Sequence, residues 1–583
     1  MNILGLSCFY HDAAACLYRD GVVVAAAEEE RFSRRKHDPS FPAEAARYCL
    51  WEGSVGAREL DYVVFYEKPL LKFARLLASA VETFPRGAVQ FATAMPAWLR
   101  ERLWVPSAVR RHLGYRGEVL YCEHHLSHAA GAFLLSPFGE AAIVTADGIG
   151  EWASTTLGVG RGTRVDLLGE LRFPHSLGLL YSAFTAWLGF EVNEGEYRLM
   201  GMAAYGQPRH ADKVRKVIGQ APDGSFALDL RYVGYHHSLR AWSRAFEELF
   251  GPPRPADGPI EQRHHDVAAS VQTVTEEVMV GLAQAAHRAT GLDALCLAGG
   301  VGLNVLANRA ILRRTPFRRL YVPPCAGDSG GAVGAAAYLY HTVLGNPRMR
   351  ALEHAYLGPG YADEQIMAFL EERRIPYHQY PEGELVERVA DAIAASKVVG
   401  WFQGRMELGP RALGNRSILA NPRDPTMPAV LNAKIKHREP FRPFAPSVAA
   451  EDAGRLFEGV GESPFMLLVA DVREEARGLL PAVTHADGTA RLQTVTERQN
   501  PRYYRLLRAV ERRIGVPVVL NTSFNVRGEP IVRTPADAFR CFSHTGMDLL
   551  ALGSFLVKAD AKRADEPYPG RARVGAGDGS WIG

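Results

Sequence analysis

Three times in the first 330 residues an apolar strand pattern runs straight into a glycine-rich turn: TADGIGEW at 145–152, LAGGVGLN at 297–304 and AGDSGG at 326–331. The strands leading into them read AAIVTADG (141–148), ALCLAGGVG (294–302) and RLYVPPCAGD (319–328), and an earlier strand reads YVVFY (62–66). Long helical patterns lie between, notably HDVAASVQTVTEEVMVGLAQAAHRATG at 265–291. Buried strands alternating with helices specify an α/β architecture with a mainly parallel central sheet.

A chain of 583 residues is too long for one core, so several domains are expected. The opening, a strand (NILGLS), a hairpin at Asp20-Gly21 and a helix from Pro42 to Trp51, is the way many actin-like ATPase domains begin. Gly358, Pro359 and Gly360 read as a linker. The expected division is 1–355, 362–560 and a tail, 561–583, rich in Arg, Gly, Pro and Asp. No internal repeat is visible.

Composition closes several routes. A formal charge of +3 leaves no electrostatic footprint for nucleic acid. Seven scattered cysteines without a Cys-x-x-Cys pair speak against a disulfide framework and against a thiolate zinc site. The start lacks the features of a signal peptide, and no apolar run approaches the ~20 residues needed to cross a bilayer, so the expectation is a reduced, cytoplasmic protein without membrane partner. No Gly-Lys-Ser/Thr occurs, which excludes a P-loop. The glycine-rich turns, with Gly299, Gly300 and Asn304 in the middle one, instead offer backbone N–H groups to phosphates.

The stretch EHHLSHAAGAF places His124 and His128 four residues apart, on one face of a helix. Asp147 and Asp328 each follow a strand, and in parallel α/β sheets the strand ends face one crevice. Two His and two Asp form a nitrogen/oxygen donor set suited to Fe(II), Mn(II) or Zn(II). The plainer alternatives are a capping face for the histidines, a turn at Asp147-Gly148 and a helix N-cap at Asp328.

Further along, GRMELGPRALGNRSILANPRD (404–424) and NAKIKHREPFRPFAPS (432–447) carry eight cations in a chain with only ten lysines. On a strand, Lys434 and Lys436 would present both ammoniums to one face. Arg405, Arg411, Arg416, Arg423, Arg438 and Arg442, later joined by Arg491, Asn521, Ser523 and Arg527, suit several phosphate oxygens. An ion-paired domain interface is the plainer reading.

Together these blocks, with LNTSFNVRGEPIV, closely resemble the NodU/CmcH-type O-carbamoyltransferases of antibiotic and nodulation-factor biosynthesis. The resemblance runs from residue 1 to about 560. It implies an actin-like ATPase-fold (ASKHA) N-terminal domain with a divalent metal, generally iron, and a YrdC-like C-terminal domain. The latter makes carbamoyl-adenylate from carbamoyl phosphate and ATP (with Mg2+), and the former passes the carbamoyl group to a small-molecule hydroxyl. Carried over, the metal ligands are His124, His128, Asp147 and Asp328. The adenylation site includes Arg411, Lys436, Arg442 and Arg491, with Asn521 and Arg527 beside them, and His11 and Lys36 line the transfer site. His125 is a rival to His11 as base. Implied acceptors include macrolides, ansamycins, aminoglycosides, cephems and chitooligosaccharide signals, and a homodimer is compatible. GMAAYG departs from the family in standing where a proline often occurs. Rival functions are an actin-fold small-molecule kinase and a non-enzymatic ATP-gated binding module.

Overall fold

The computed structural model describes residues 1–439 and 441–563. Within them the chain forms two compact units, Met1–Glu29 with His37–Leu352, and Glu30–Lys36 with the residues from Glu353 onward. The Gly358–Gly360 stretch is therefore part of the second unit, tied to it by Gly358 N–H donating to Met406 O (2.9 Å). The expected tail lies outside the described residues from 564 on.

The first unit opens with strands β1 (Asn2–Ser7), β2 (Ala14–Arg19), β3 (Val22–Glu28), β4 (Tyr62–Phe65) and β5 (Val119–Tyr121), then β6 (Glu140–Ala146), β7 (Ala153–Arg161) and β8 (Arg164–Arg172). A small hairpin, β9 (Ile218–Gln220) and β10 (Phe226–Leu228), precedes β11 (Ala294–Ala298) and β12 (Arg319–Tyr321). One five-stranded sheet has the order β3-β2-β1-β4-β5, the other β8-β7-β6-β11-β12. In both, a leading strand and two antiparallel partners are extended on the other side by two parallel strands. The unit is thus a topological duplication of the actin-like ATPase type, and its sheets are mixed where a mainly parallel one was expected. β11 is buried along its whole length, which is why ALCLA reads as a continuous apolar run.

Four helices matter for the site: α1 (His124–Phe133), α2 (Gln262–Thr290), α3 (Val305–Arg314) and α4 (Ser329–Ala337). α1 and α4 touch backbone to backbone. A Cβ on Gly334 would stand 1.9 Å from the Ser127 carbonyl oxygen, so only glycine lets these helices approach closely enough to bring their N-terminal ends together.

The second unit is built on one mixed ten-stranded sheet of β13 (His378–Gln379), β14 (Val399–Phe402), β15 (Arg416–Ala420), β16 (Ala445–Ala449), β17 (Phe457–Glu458), β18 (Leu468–Val472), β19 (Thr489–Val495), β20 (Val518–Ser523), β21 (Leu549–Leu552) and β22 (Phe555–Lys558). Their order is β13-β22-β21-β14-β15-β20-β16-β19-β18-β17. Trp401, Ile418, Leu492 and Leu520 lie in its core. The segment Glu30–Lys36 packs with this unit: the Arg31 guanidinium donates to Gly409 O (2.8 Å), and Arg34 donates to the carbonyls of Ile531 (2.6 Å) and Pro530 (2.8 Å). Lys36, expected in the first domain, accordingly belongs to the second unit.

Candidate active site

His124 and His128 project from the first turns of α1, Asp147 stands just beyond β6, and Asp328 precedes α4. Their ligand atoms all lie within 4.8 Å of one another, and all four residues are buried. The two Nε2 atoms are 3.1 Å apart. His124 Nε2 lies 3.1 Å from Asp147 Oδ2 and 3.6 Å from Asp328 Oδ1; the corresponding His128 distances are 3.8 and 3.5 Å.

Asp328 occupies the N-cap position of α4 without using its side chain there. Its side chain makes no capping hydrogen bond, and both carboxylate oxygens are buried without a hydrogen-bond partner among the described residues. A fully buried carboxylate in that state is costly unless a cation completes it. The cluster therefore fits a divalent metal. Burial opposes charge on His124, but Asp328 and Asp147 outweigh it and hold the imidazole well above its ordinary range.

Around the ligands stands a supporting shell. Asp147 Oδ1 accepts the Gly300 N–H at 2.7 Å. Glu67, at the carboxyl end of β4, lies 3.7 Å from His124 Nδ1 and pairs with the buried Lys72 at 2.9 Å. Such partners orient metal-ligating imidazoles. Glu151 accepts the backbone N–H of His124 (3.1 Å) and of Lys68 (2.7 Å), so an anion sits at the start of α1, where the helix dipole favours it. Sequence reasoning missed Glu67, although YVVFYE obeys the same strand-end rule that found Asp147.

His11 reaches the cluster, with Nε2 3.7 Å from Asp328 Oδ2. Burial works against its charge, yet Asp328, Asp12 and Asp147 push its pKa up to about 9. A cation bound by Asp147 and Asp328 would cancel two of these three charges. His125 differs: Nδ1 is bonded to Thr145 Oγ1 (2.6 Å), and burial with the neighbouring His124 and His128 keeps it well below its ordinary range.

Gly299 takes φ +88°, and a Cβ there would meet the Ala146 carbonyl oxygen at 2.2 Å. Asn304 caps α3, accepting the Ala307 N–H (3.0 Å), and exchanges hydrogen bonds with Gln272 of α2. With the Gly300 N–H donated to Asp147, the residues expected to hold nucleotide here include two already bonded inside the unit.

In the second unit the cations divide into two groups. Arg416 is fully buried and donates to the carbonyls of Gln403, Gly404, Asn415 and Pro359, its guanidinium 3.7 Å from the Phe402 ring centre. Arg405 donates to Gly358 O (3.2 Å) and Leu357 O (2.6 Å), and Arg423 to Ile514 O. These three hold loops. The Asn521 amide nitrogen is likewise engaged, donating to Ala412 O, Ser447 Oγ and Gln493 Oε1 at 3.0–3.2 Å, while its Oδ1 is buried without a hydrogen-bond partner among the described residues.

The second group converges. Burial, then Arg411, Arg438 and Arg442, depress the basicity of Arg491 far below its normal value. Lys436 is depressed likewise by burial, then Arg438, with Arg442 and Lys36 adding to it. Its ammonium donates to Asn525 O (2.9 Å), Asn525 Oδ1 (3.0 Å), Ser523 Oγ (3.3 Å) and Ser523 O, so it also holds the 523–525 loop. Lys434 and Lys436 do not share a face: Asn432–Lys436 is a π-helical turn, which exposes the first and buries the second. Arg527 is exposed, 3.5 Å from Glu439. The loop carrying Arg411 is organised by Glu407 Oε1, which accepts the N–H groups of Leu413 (2.7 Å), Asn415 (2.9 Å) and Arg416 (3.2 Å).

Duplicated sheets with carboxylates and imidazoles at their strand ends, and a second α/β unit with converging cations, define a two-unit α/β enzyme of the actin-like ATPase class. The chain belongs to the carbamoyltransferase family: the carbamoyltransferase N-terminus matches residues 2–337 and the carbamoyltransferase C-terminus residues 390–559. It is 48% identical over 96% of its length to the uncharacterized protein sll1178 of Synechocystis (97% of that protein). It is 38% identical to nodulation protein NolNO of Sinorhizobium fredii, covering 96% of this chain and 80% of the other. It is 31% identical to the 3'-hydroxymethylcephem-O-carbamoyltransferase of Amycolatopsis lactamdurans, covering 61% and 63%. Among solved structures, HypF of T. kodakarensis aligns over 59% of this chain and 48% of its own at 14% identity and a TM-score of 0.30, too weak a likeness to add to the topology above.

Proposed function

We propose that the protein is an ATP-dependent O-carbamoyltransferase that works in two half-reactions. In the second, YrdC-like unit, carbamoyl phosphate and water give carbamate and phosphate. Carbamate oxygen then attacks the α-phosphorus of Mg·ATP, forming carbamoyl-adenylate and releasing pyrophosphate. In the first unit a small-molecule hydroxyl attacks the carbamoyl carbon, its proton passes to His11, and AMP leaves with the electron pair of the broken bond.

What supports this reading is the grouping of the half-buried Arg411, Arg438 and Arg442 around the half-buried Arg491, positive charges that act against one another and that polyphosphate would draw together. Lys436 and Lys36 add to it. In the first unit, His124, His128, Asp147 and Asp328 would hold the metal, which when bound supplies Lewis-acid stabilisation of charge developing near the carbamoyl and phosphate oxygens. The acceptor is a hydroxyl-bearing small molecule of the macrolide, ansamycin, aminoglycoside, cephem or chitooligosaccharide kind.

The test needs no acceptor. Purified protein is mixed with ATP and carbamoyl phosphate, each omitted in turn, and the nucleotide products are resolved. Pyrophosphate with AMP or carbamoyl-AMP, formed only when carbamoyl phosphate is present, is the expected result; ADP formed regardless of carbamoyl phosphate would overturn it. Lys436→Ala should lose adenylate formation yet still consume supplied carbamoyl-adenylate, and Asp328→Asn should do the reverse.

A further inference from the structure

The loop that carries His11 is held by a second loop of the same unit. Phe9 N–H donates to Pro39 O (2.7 Å) and Ala13 N–H to Asp38 O (3.0 Å), so residues 8–13 and 37–40 are tied together at two points. Between these ties the Asp12 carboxylate bridges two imidazoles: Oδ2 is 2.9 Å from His11 Nδ1 and Oδ1 is 2.7 Å from His37 Nδ1. Three non-glycine residues of these loops sit in the left-handed region, Phe9 (φ +76°), Asp12 (φ +53°) and His37 (φ +52°). Asp and His enter that region more readily than most residues, whereas a bulky side chain such as Phe9 avoids it unless surrounding structure enforces it, and such enforcement gathers at working sites.

An ionised carboxylate only accepts hydrogen bonds, so both Nδ1 atoms facing Asp12 must be donors. A neutral imidazole carries one proton. With that proton on Nδ1, the lone pair of His11 is on Nε2, the atom that faces the metal cluster at 3.7 Å from Asp328.

We propose that Asp12, clamped by His37, is a positioning residue that fixes His11 in its Nδ1–H tautomer with Nε2 turned to the metal cluster as proton acceptor. The inference rests on the proposed role of His11 in transfer. In the step it serves, the attacking hydroxyl gives its proton to Nε2, its oxygen forms a bond to the carbamoyl carbon, and the bond to the adenylate oxygen breaks with its electron pair on AMP. Nε2–H then returns the proton to solvent. Asp12 exchanges no proton; it sets direction and tautomer, as orienting carboxylates beside catalytic histidines do. His37 in turn keeps Asp12 from rotating away, by occupying the oxygen that His11 does not use.

The tautomer can be read directly. Full-length protein labelled with [15N]histidine and loaded with zinc is observed by two-bond 1H–15N correlation at a pH above the His11 titration, where the ring is neutral, with the His11 signals assigned from His11→Gln. The expected wild-type pattern is a protonated Nδ1 and an unprotonated Nε2. Asp12→Asn, nearly isosteric and so expected to fold, should lose that pattern. It should also slow AMP release from supplied carbamoyl-adenylate, with water as the acceptor, by about 10²- to 10⁴-fold, while pyrophosphate formation in the second unit stays at the wild-type rate. His37→Gln should shift the His11 signals in the same direction by a smaller amount. A wild-type His11 protonated on Nε2, or a tautomer unchanged in Asp12→Asn, would overturn the proposal. Absence of pyrophosphate from wild type would instead count against the proposed function and leave the tautomer measurement standing.

Discussion

Arg491 is the residue at which stability and function should separate most clearly. It stands on β19 opposite Val469, its Nε has no hydrogen-bond partner among the described residues, and its charge is opposed by burial and then by Arg411, Arg438 and Arg442. Two unit charges ~8 Å apart repel by about 2 kcal/mol at an effective dielectric of ~20. Arg411, Arg438 and Arg442 each act against the Arg491 charge in this sense, and a polyanion would turn that opposition into attraction. Arg491→Met keeps the apolar stem and deletes the charge. The ligand-free protein should then gain stability, up to the about 1–4 kcal/mol seen when a whole buried ion pair gives way to apolar residues of similar volume. At roughly 3 °C per kcal/mol, the second unit's unfolding transition should rise by up to about 3–12 °C. Pyrophosphate affinity should fall in the same variant by about 30- to 1,000-fold, since removing one partner from a buried charge pair costs about 2–4 kcal/mol. Scanning calorimetry with and without pyrophosphate, and isothermal titration of pyrophosphate, measure the two effects. A variant that unfolds at a lower temperature without ligand, or binds pyrophosphate like wild type, would refute the reasoning.

Two further expectations follow from the same unit. The lowered pKa of buried Lys436 means that the unfolded chain, titrating near ~10.4, holds that proton more tightly than the folded one. Ligand-free stability should therefore rise with pH through the window below that value, and urea unfolding between about pH 7 and about pH 10 should show the rise flattened by pyrophosphate; a fall would contradict it. Arg416→Lys should destabilise the unit by about 3 kcal/mol, because an ammonium cannot satisfy four buried carbonyls spread around a planar fork. Its pyrophosphate affinity, measured well below the unfolding temperature, should stay at the wild-type level.

What the sequence by itself determined was whatever depends on neighbours along the chain. The spacing of His124 and His128 puts both imidazoles on one side of α1 through helical geometry alone, and the glycine-rich turns mark the strand ends where Asp147 and Asp328 stand. The Asp20-Gly21 hairpin between β2 and β3 is local in the same sense. His11 and Lys36 were legible only through family resemblance, because nothing in FYHDAA or SRRKHD distinguishes them from ordinary loop residues. The folded chain decided the rest. The duplication of the two five-stranded sheets lies in which strands hydrogen-bond, and pairing order leaves no repeat in the letters. Arg416 and Arg491 look alike in the sequence, yet one donates to four carbonyls and the other faces three cations. Lys434 and Lys436 part company because a π-helical turn replaces the strand that alternation suggested. Asp12 acquires its two histidines only when loops 8–13 and 37–40 meet. Local pattern specifies the direction in which a side chain leaves the backbone, but charge, tautomer and ligation depend on what stands opposite it, and only tertiary packing brings those partners together.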